Sequence, residues 1–158
     1  MASMETTVLR DHTLRACHYH AILKALRGYY IIVGHEPAIS EKGAGADMSI
    51  DVGAFKYVLN GTFGEKTSTT NVVIETADAT NPRIDVAILN SDSDIVISKG
   101  TAKAAKPVAE TTWQKWEEPY PADLSTTDGI ILAEIEVPAG VTSIVNAYIR
   151  NICVPVAF

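Results

Sequence analysis

The charged residues with the clearest spacing for chemistry are Arg83 and Asp85, in residues 81–88 (NPRIDVAI). Alternation along an extended strand puts both side chains on one face, about 7 Å apart. Acid–base or nucleophilic chemistry would need a further base or nucleophile converging on the pair, and the neighbouring sequence supplies none. The pattern therefore favours an ion pair that holds strands in register.

Two groups of residues have partial metal-ligand spacing. Cys17 and His20 are three residues apart on a predicted helix, so they could share a zinc ion. Asp92 and Asp94 in NSDSD resemble the start of a calcium loop. No CxxC or HxxxH motif completes the first set, and the second lacks the glycine and distal glutamate of a calcium loop. We therefore predict no metal and no cofactor, with residues 90–94 forming a polar hairpin turn.

A pair of glutamates, Glu134 and Glu136, lies in residues 131–137 (ILAEIEV). Paired carboxylates can hydrolyse glycosides, which makes a hydrolase a hypothesis to weigh. Their spacing places them together on one face of a strand, opposite Ala133, Ile135 and Val137. The sequence predicts that this face is the solvent side of a half-buried strand, without the apolar pocket that such catalysis needs.

Three aromatic residues, Trp113, Trp116 and Tyr120, cluster in WQKWEEPY. Together they could form a stacking platform for a sugar, which would make a host-surface glycan a partner and the protein a carbohydrate-binding β-sandwich. Anchoring of a loop, or contact between subunits, is favoured because large aromatics mostly serve burial. The chain has no GxSxG, P-loop or GxGxxG motif, so we predict a protein that is not an enzyme.

A single helix is predicted, over residues 11–28. Asp11 suits the N-cap and Gly28 the stop after the last turn. Apolar residues recur at helical spacing at Leu14, Cys17, Ala21, Ile22, Ala25 and Leu26.

After Gly28 the sequence changes to short segments rich in Val, Ile and Tyr, separated by clusters of Gly, Pro, Asn and Asp. This pattern is typical of an antiparallel β-sandwich or jelly-roll-like domain, and no strand–helix alternation supports a parallel sheet. We predict a mainly β protein with an N-terminal helical arm (1–28) and a β-sandwich domain (29–158). A long linker (101–128) that carries the aromatic cluster crosses this domain.

Charge differs between the two predicted parts. The 158 residues carry a net charge of −6 and have a pI of about 5.1, which argues against nucleic acid as a partner. Residues 1–28 hold four basic and two acidic residues, a net of +2, so the remainder carries −8. Arg15, Lys24 and Arg27 of this basic arm are candidates for docking on an acidic surface. No secretory signal and no membrane span is predicted.

Three segments together resemble a β module of tailed-phage and prophage virion proteins, found in the virion-proximal parts of tail and head fibres. They are residues 45–63 (GADMSIDVGAFKYVLNGTF), 78–108 (DATNPRIDVAILNSDSDIVISKGTAKAAKPV) and 129–151 (GIILAEIEVPAGVTSIVNAYIRN). The matching positions are Asn81, Pro82, Arg83, Ile84, Asp85, Gly100, Thr101, Leu132, Ala133, Val137, Pro138, Ala139, Gly140, Thr142, Ser143, Ile144 and Arg150.

This resemblance implies a structural subunit of a virion, made in the host cytoplasm. The linker after Thr101 is longer than the short Pro-Ala-rich run of such modules, and a receptor-binding region does not follow, so the receptor-binding role is not carried over. A free-standing module with a helical arm is closer to a capsid decoration or cement protein, with a tail, baseplate or fibre-base adaptor as the alternative. Its expected partners are the major capsid protein or tail proteins and further copies of itself, in a homotrimer that would bury exposed sheet edges.

Overall fold

The computed structural model describes residues 26–103 and 129–153, together with the backbone of residues 155–156. These residues form a mainly β structure of eleven strands in three sheets. The strands are β1 (Tyr30–Ile32), β2 (Ile39–Glu41), β3 (Ser49–Val52), β4 (Phe55–Leu59), β5 (Thr62–Lys66), β6 (Thr70–Val73), β7 (Arg83–Asn90), β8 (Ile95–Ser98), β9 (Gly129–Val137), β10 (Ile149–Asn151) and β11 (Pro155–Val156).

We name each sheet after a central strand. The β4 sheet has the order β11-β1-β4-β5, the β3 sheet has the order β2-β3-β6, and the β7 sheet has the order β10-β9-β7-β8. Every pairing is antiparallel except that of β1 with β11, which is parallel. The described part of the chain is therefore held together mainly by antiparallel ladders, which short turns can connect.

The β4 sheet and the β3 sheet are built from the same three ribbons, each of which contributes one strand to each sheet. The ribbon β1–β2 pairs antiparallel with the ribbon β3–β4, and β5–β6 pairs with the other side of β3–β4. At the interruption between β3 and β4, Gly53 donates a backbone hydrogen bond to Ala38 O (2.8 Å), which lies in the interruption between β1 and β2. A Cβ at Gly53 would lie 3.2 Å from that same oxygen, so the absent side chain permits the close approach at the bend.

The tight turn between β4 and β5 follows from two adjacent residues, Asn60 and Gly61. Both have positive φ, 48° and 78°, which is the backbone conformation of a type I′ hairpin turn. An Asn-Gly pair tolerates this conformation at low cost, and its backbone twist matches the twist of the flanking strands.

One large apolar core draws side chains from all three sheets, with Ile31, Ile50, Leu89 and Ile135 among its fully buried members. A second cluster occupies the opposite face of the β7 sheet and consists of Ile84, Val86, Ile88, Ile131 and Ile152. Strands β7 and β9 are therefore buried on both faces, at nearly every position, although each contains charged residues.

Strand β9 contains a β-bulge that directs neighbouring side chains into the two different apolar clusters. Ala87 is paired with Ala133 while Ile88 is paired with Ile131, so Leu132 is an extra residue in the ladder. Its carbonyl oxygen accepts hydrogen bonds from the backbone N–H groups of Ile152 and Cys153 (3.0 and 3.1 Å). The bulge puts Leu132 and Ala133 in the large core and leaves Ile131 in the second cluster.

The mainly β character expected from the sequence is confirmed. No N-terminal helix is present in the described residues, and residues 11–25 of that prediction lie outside them. Gly28, predicted as the helix stop, has a positive φ of 83°. Strands β2 and β5 do not follow the expected Val-, Ile- and Tyr-rich pattern, because β2 (Ile39–Glu41) has only three residues and β5 (Thr62–Lys66) combines charged residues with a glycine.

Candidate functional site

The alternation along residues 81–88 brings Arg83 and Asp85 together, as predicted. Arg83 Nε donates to both carboxylate oxygens of Asp85, at 2.9 and 3.1 Å. The two side chains are only 1% and 0% exposed, so the pair lies inside the protein and not at its surface. Such burial costs free energy unless further hydrogen bonds complete the pair.

Those further hydrogen bonds come from two other chain segments. Arg83 Nη1 donates to Thr76 O (2.9 Å) and Arg83 Nη2 donates to Glu75 O, in the segment that follows β6. Asp85 Oδ1 accepts the backbone N–H of Gly100 (2.8 Å), which lies just after β8. The pair thus joins β7 to the chain after β6 and to the chain after β8, linking the β3 and β7 sheets. We call this cluster the Arg83–Asp85 clamp.

Burial dominates the electrostatics of the clamp carboxylate. Desolvation raises the pKa of Asp85 above its ordinary value, while the Arg83 guanidinium and the Gly100 N–H oppose that shift by favouring the carboxylate. A raised carboxyl pKa can indicate a catalytic acid when the group faces a cleft. Here the carboxylate oxygens face the guanidinium and a backbone N–H, so the arrangement is suited to holding strands together.

The prediction that Glu134 and Glu136 lie on a solvent face of their strand is wrong. Glu134 is 3% exposed and not on a solvent face, and Glu136 is half-buried. The reason is that β9 is an inner strand of the β7 sheet, with Glu134 directly opposite Val86 on the face of the second apolar cluster. On the other side Glu134 is paired with Arg150, whose Nη1 lies 3.9 Å from Glu134 Oε1. Alternation predicted the shared face correctly but not that both faces are covered.

The loop with Asp92 and Asp94 is a hairpin turn between β7 and β8. Asn90 Oδ1 accepts the backbone N–H groups of both aspartates, at 3.0 and 2.8 Å, and Ser93 adopts a positive φ of 65°. The side chain of Asn90 therefore organises the turn, as Asn commonly does. Across residues 26–103 and 129–153, no group of three or more His, Cys, Asp or Glu side chains could hold a metal ion.

Several candidate residues lie outside the described residues: Arg15, Cys17, His20, Lys24, Trp113, Trp116 and Tyr120. Arg27 is described and is exposed, next to the turn at Gly28. The docking role of the arm and the binding role of the aromatic cluster therefore stay predictions. Cys153 is half-buried, and burial raises the pKa of its thiol to about 11, so the unreactive thiol form prevails at neutral pH.

Two polar links that the sequence analysis missed connect distant parts of the chain. Glu41 and Asn146 exchange hydrogen bonds: Asn146 Oδ1 accepts from Glu41 N (2.8 Å), and Glu41 Oε2 accepts from Asn146 N (3.0 Å). Asp51 accepts from Gly43 N and from Asn71 Nδ2, both at 2.9 Å, across β3 and β6. A lone Glu, Asp or Asn in a turn-rich sequence gives no signal for a partner that is remote along the chain.

Four carboxylates predict how stability depends on pH. Hydrogen bonds lower the pKa of Asp47 (chiefly from Lys42), Asp51 (Gly43 N–H), Glu75 (Lys99) and Asp78 (Thr80 N–H). A carboxylate whose pKa is lower in the folded state stabilises the fold above its unfolded pKa and loses that effect as pH falls through its folded pKa. The raised pKa of Asp85 has the opposite effect, because protonation of this carboxylate as the pH falls favours the folded state. Asp85 is one group, whereas four carboxylates have lowered pKa values.

We therefore expect the urea midpoint of unfolding to be steady near neutral pH and to fall once the pH drops below about 4. Circular dichroism during urea titration at a series of pH values measures this. Asp78→Asn is the diagnostic variant, because the amide keeps an oxygen acceptor for Thr80 N and Asn81 N but does not titrate. Its acid slope should be shallower than that of the wild type; an unchanged slope would contradict the assignment for Asp78.

Comparison of the chain with protein-family models, with curated proteins and with solved structures gave no match. Within the described residues, no helix has both the length and the apolar character needed to cross a membrane.

Proposed function

We propose that this chain is a non-enzymatic structural protein of a virion, and that it coats a capsid as a decoration or cement protein. The observation that carries the proposal is the Arg83–Asp85 clamp: the charged pair with the best spacing for chemistry is buried and joins three chain segments. The resemblance of residues 45–63, 78–108 and 129–151 to a virion β module supplies the class of protein. A tail, baseplate or fibre-base adaptor of the virion is the alternative.

The body of the protein is proposed to be a rigid two-layered β-sandwich of jelly-roll type. Proximity of strands supports this: β6 lies against β8 and β2 lies against β10, as expected if the β3 sheet covers the β7 sheet. One apolar core receives side chains from both of these sheets. A body with a shared core, clamped by a buried ion pair, is suited to carrying load between neighbouring subunits.

Docking is assigned to the basic N-terminal arm and self-association to the sandwich. The arm carries a net charge of +2 and the remainder −8, so the arm of one molecule is attracted to acidic surfaces, including the body of another copy. The edge strand β5 of the β4 sheet has no second strand partner among the described residues. Closed cyclic association as a homotrimer would bury such an edge.

Labelled density in purified particles tests the proposal. We expect a fluorescent or gold label on the protein to decorate the capsid surface at symmetry-related positions in electron micrographs. Label at the tail or baseplate would favour the adaptor alternative, and absence from particles would overturn both. A label attached through an added C-terminal tag in one sample and through an N-terminal tag in another gives the matched control, because only the N-terminal tag should hinder docking by the arm.

A further inference from the structure

The outer face of the β7 sheet is buried, although it lies on the side away from the large core. Its apolar side chains form the second cluster, and each of them is 7% exposed or less. They come from β7, from β9 and from Ile152, just after β10; among the described residues, the cluster contains no buried apolar side chain from the other two sheets. An antiparallel sheet with one face open to solvent carries polar residues on that face. A further part of the chain is therefore needed to cover this one.

The exposure of individual side chains places this cover over the middle strands of the sheet. Ile88 of β7 is paired with Ile131 of β9 on one side and with Val96 of β8 on the other, so the three share the outer face. Ile88 and Ile131 are 1% and 2% exposed, whereas Val96 on the edge strand is 39% exposed. On the opposite edge, the Arg150 side chain of β10 is 52% exposed. The covering segment therefore follows β7 and β9 and leaves the margins of the sheet open.

The strand order indicates which segment crosses this face. Strands β8 and β9 lie on opposite sides of β7 and each pairs antiparallel with it, so they run parallel to each other. Parallel strands cannot be joined by a tight turn, because the chain has to return to the other end of the sheet by a crossover. The inner face is filled by the core that the β7 sheet shares with the β3 and β4 sheets. The outer face is the one that remains for the connection between β8 and β9.

The ends of this connection lie at opposite ends of β7. Lys103 N donates to Pro82 O (3.1 Å), directly before the first residue of β7, and Gly129 is paired with Asn90, the last residue. Strand β7 is about 23 Å long, and residues 104–128 would reach about 80 Å if fully extended. The segment is therefore long enough to cross the whole face. The N-terminal arm, by contrast, enters at β1 in the β4 sheet, whose apolar side chains pack in the large core on the inner face.

We propose that residues 104–128 cross the outer face of the β7 sheet and that Trp113 and Trp116 pack against the second cluster. The two indoles are the largest apolar side chains of the segment, and a tryptophan buries about 150–250 Å². The segment also contains three prolines, which lack the N–H group of a strand ladder, so it is suited to covering the face with side chains and not to adding a strand. This assignment makes the aromatic cluster part of the interior and removes it as a stacking platform for a glycan. It does not depend on the proposed virion function.

Tryptophan fluorescence of the full-length protein tests the burial of the segment, because Trp113 and Trp116 are the only tryptophans of the chain. We expect native emission at a shorter wavelength than in the urea-unfolded chain, with weaker quenching by acrylamide. Dilution of the protein and a panel of glycans should both leave the emission unchanged. Native emission at the unfolded wavelength would overturn the inference. A shift on dilution would assign the contact to a second copy, and a shift with a sugar would restore the platform; either would also overturn it.

Photo-crosslinking identifies which segment covers the face. The full-length protein would carry a photo-reactive phenylalanine analogue at position 96, at the open margin of the outer face, and would be mixed with an equal amount of ¹⁵N-labelled wild-type chain. We expect crosslinks from position 96 to residues 104–128 of the same, unlabelled chain. The control carries the analogue at position 63, where Phe63 is 59% exposed on β5 of the β4 sheet, and should give no crosslink to residues 104–128.

Three crosslinking results would overturn the inference. They are crosslinks from position 96 only to residues 1–25 or to the ¹⁵N-labelled chain, no crosslink to residues 104–128, and equal crosslinking of that segment from positions 96 and 63. Absence of the protein from virus particles would leave the inference intact, since the cover of the β7 sheet belongs to the single chain.

Discussion

Replacement of Asp85 by alanine is expected to lower the free energy of unfolding by about 3–5 kcal/mol, the range found when one partner of a buried ion pair is removed. The variant leaves the Arg83 guanidinium, 1% exposed, without its counter-charge, and leaves the Gly100 N–H without its acceptor. Because a domain of this kind has about 5–15 kcal/mol of total stability, the loss is a large part of the whole. Urea denaturation at pH 7 measures it.

Two companion variants separate charge from hydrogen bonding at this site. Asp85→Asn keeps an oxygen that can accept from Gly100 N or from Arg83, so its loss should be smaller than that of the alanine variant. The double variant Arg83→Met, Asp85→Leu removes both charges, and its loss should be well below the sum of the two single losses. Additive losses would show that the two side chains do not act as a unit, and our interpretation of the Arg83–Asp85 clamp would then be wrong.

Gly129→Ala is expected to destabilise the protein by about 3 kcal/mol or more, combining overpacking with backbone strain. Gly129 begins β9 opposite Asn90 and has a φ of 152°, in a region that side-chain-bearing residues rarely adopt. A Cβ there would lie 2.2 Å from the carbonyl oxygen of Leu89. That oxygen belongs to the backbone of β7, which cannot move aside without disrupting the largest strand pairing of the β7 sheet. Thermal and urea unfolding of the purified variant measure the loss.

Gly43→Ala is the matched control for this experiment. A Cβ at Gly43 meets only Asp51 Oδ2, at an ordinary contact distance of 3.6 Å, and its backbone does not have positive φ. We expect a change within about 0.5 kcal/mol, as for most surface substitutions. If Gly129→Ala were as mild as Gly43→Ala, the close approach of β9 to Leu89 would not be a feature of the protein in solution.

The predictable part of the candidate site was its local geometry. The period of two along residues 83–88 was enough to place Arg83 and Asp85 on one face, and the ion pair is present at 2.9 Å. The contacts to Glu75 O, Thr76 O and Gly100 N were not predictable. Backbone carbonyl and N–H groups are common to every residue, so a sequence carries no mark of which ones a buried side chain will meet.

For Glu134, too, the local structure was predictable from the sequence and the tertiary environment was not. Its alternation with Ala133 and Ile135 indicated a strand, and β9 is one. Its 3% exposure depends on β9 being an inner strand whose second face is also covered. A charged residue at an alternate position is normally evidence for solvent, because burial of an unpaired charge is costly. Here Glu134 is buried because β9 lies between β10 and β7, and β10 places Arg150 directly opposite Glu134.

By itself the sequence determined the mainly β class, the Asn60-Gly61 turn, the hairpin at residues 90–94 and the shared face of Arg83 and Asp85. These features depend on interactions between residues close together in the chain, where backbone preference and side-chain period act directly. Only the tertiary structure decided the order of strands in the three sheets, the bulge at Leu132, the burial of Glu134 and the exposure of Phe63. Each of these depends on which distant segments meet, and that choice is made by the packing of one shared core.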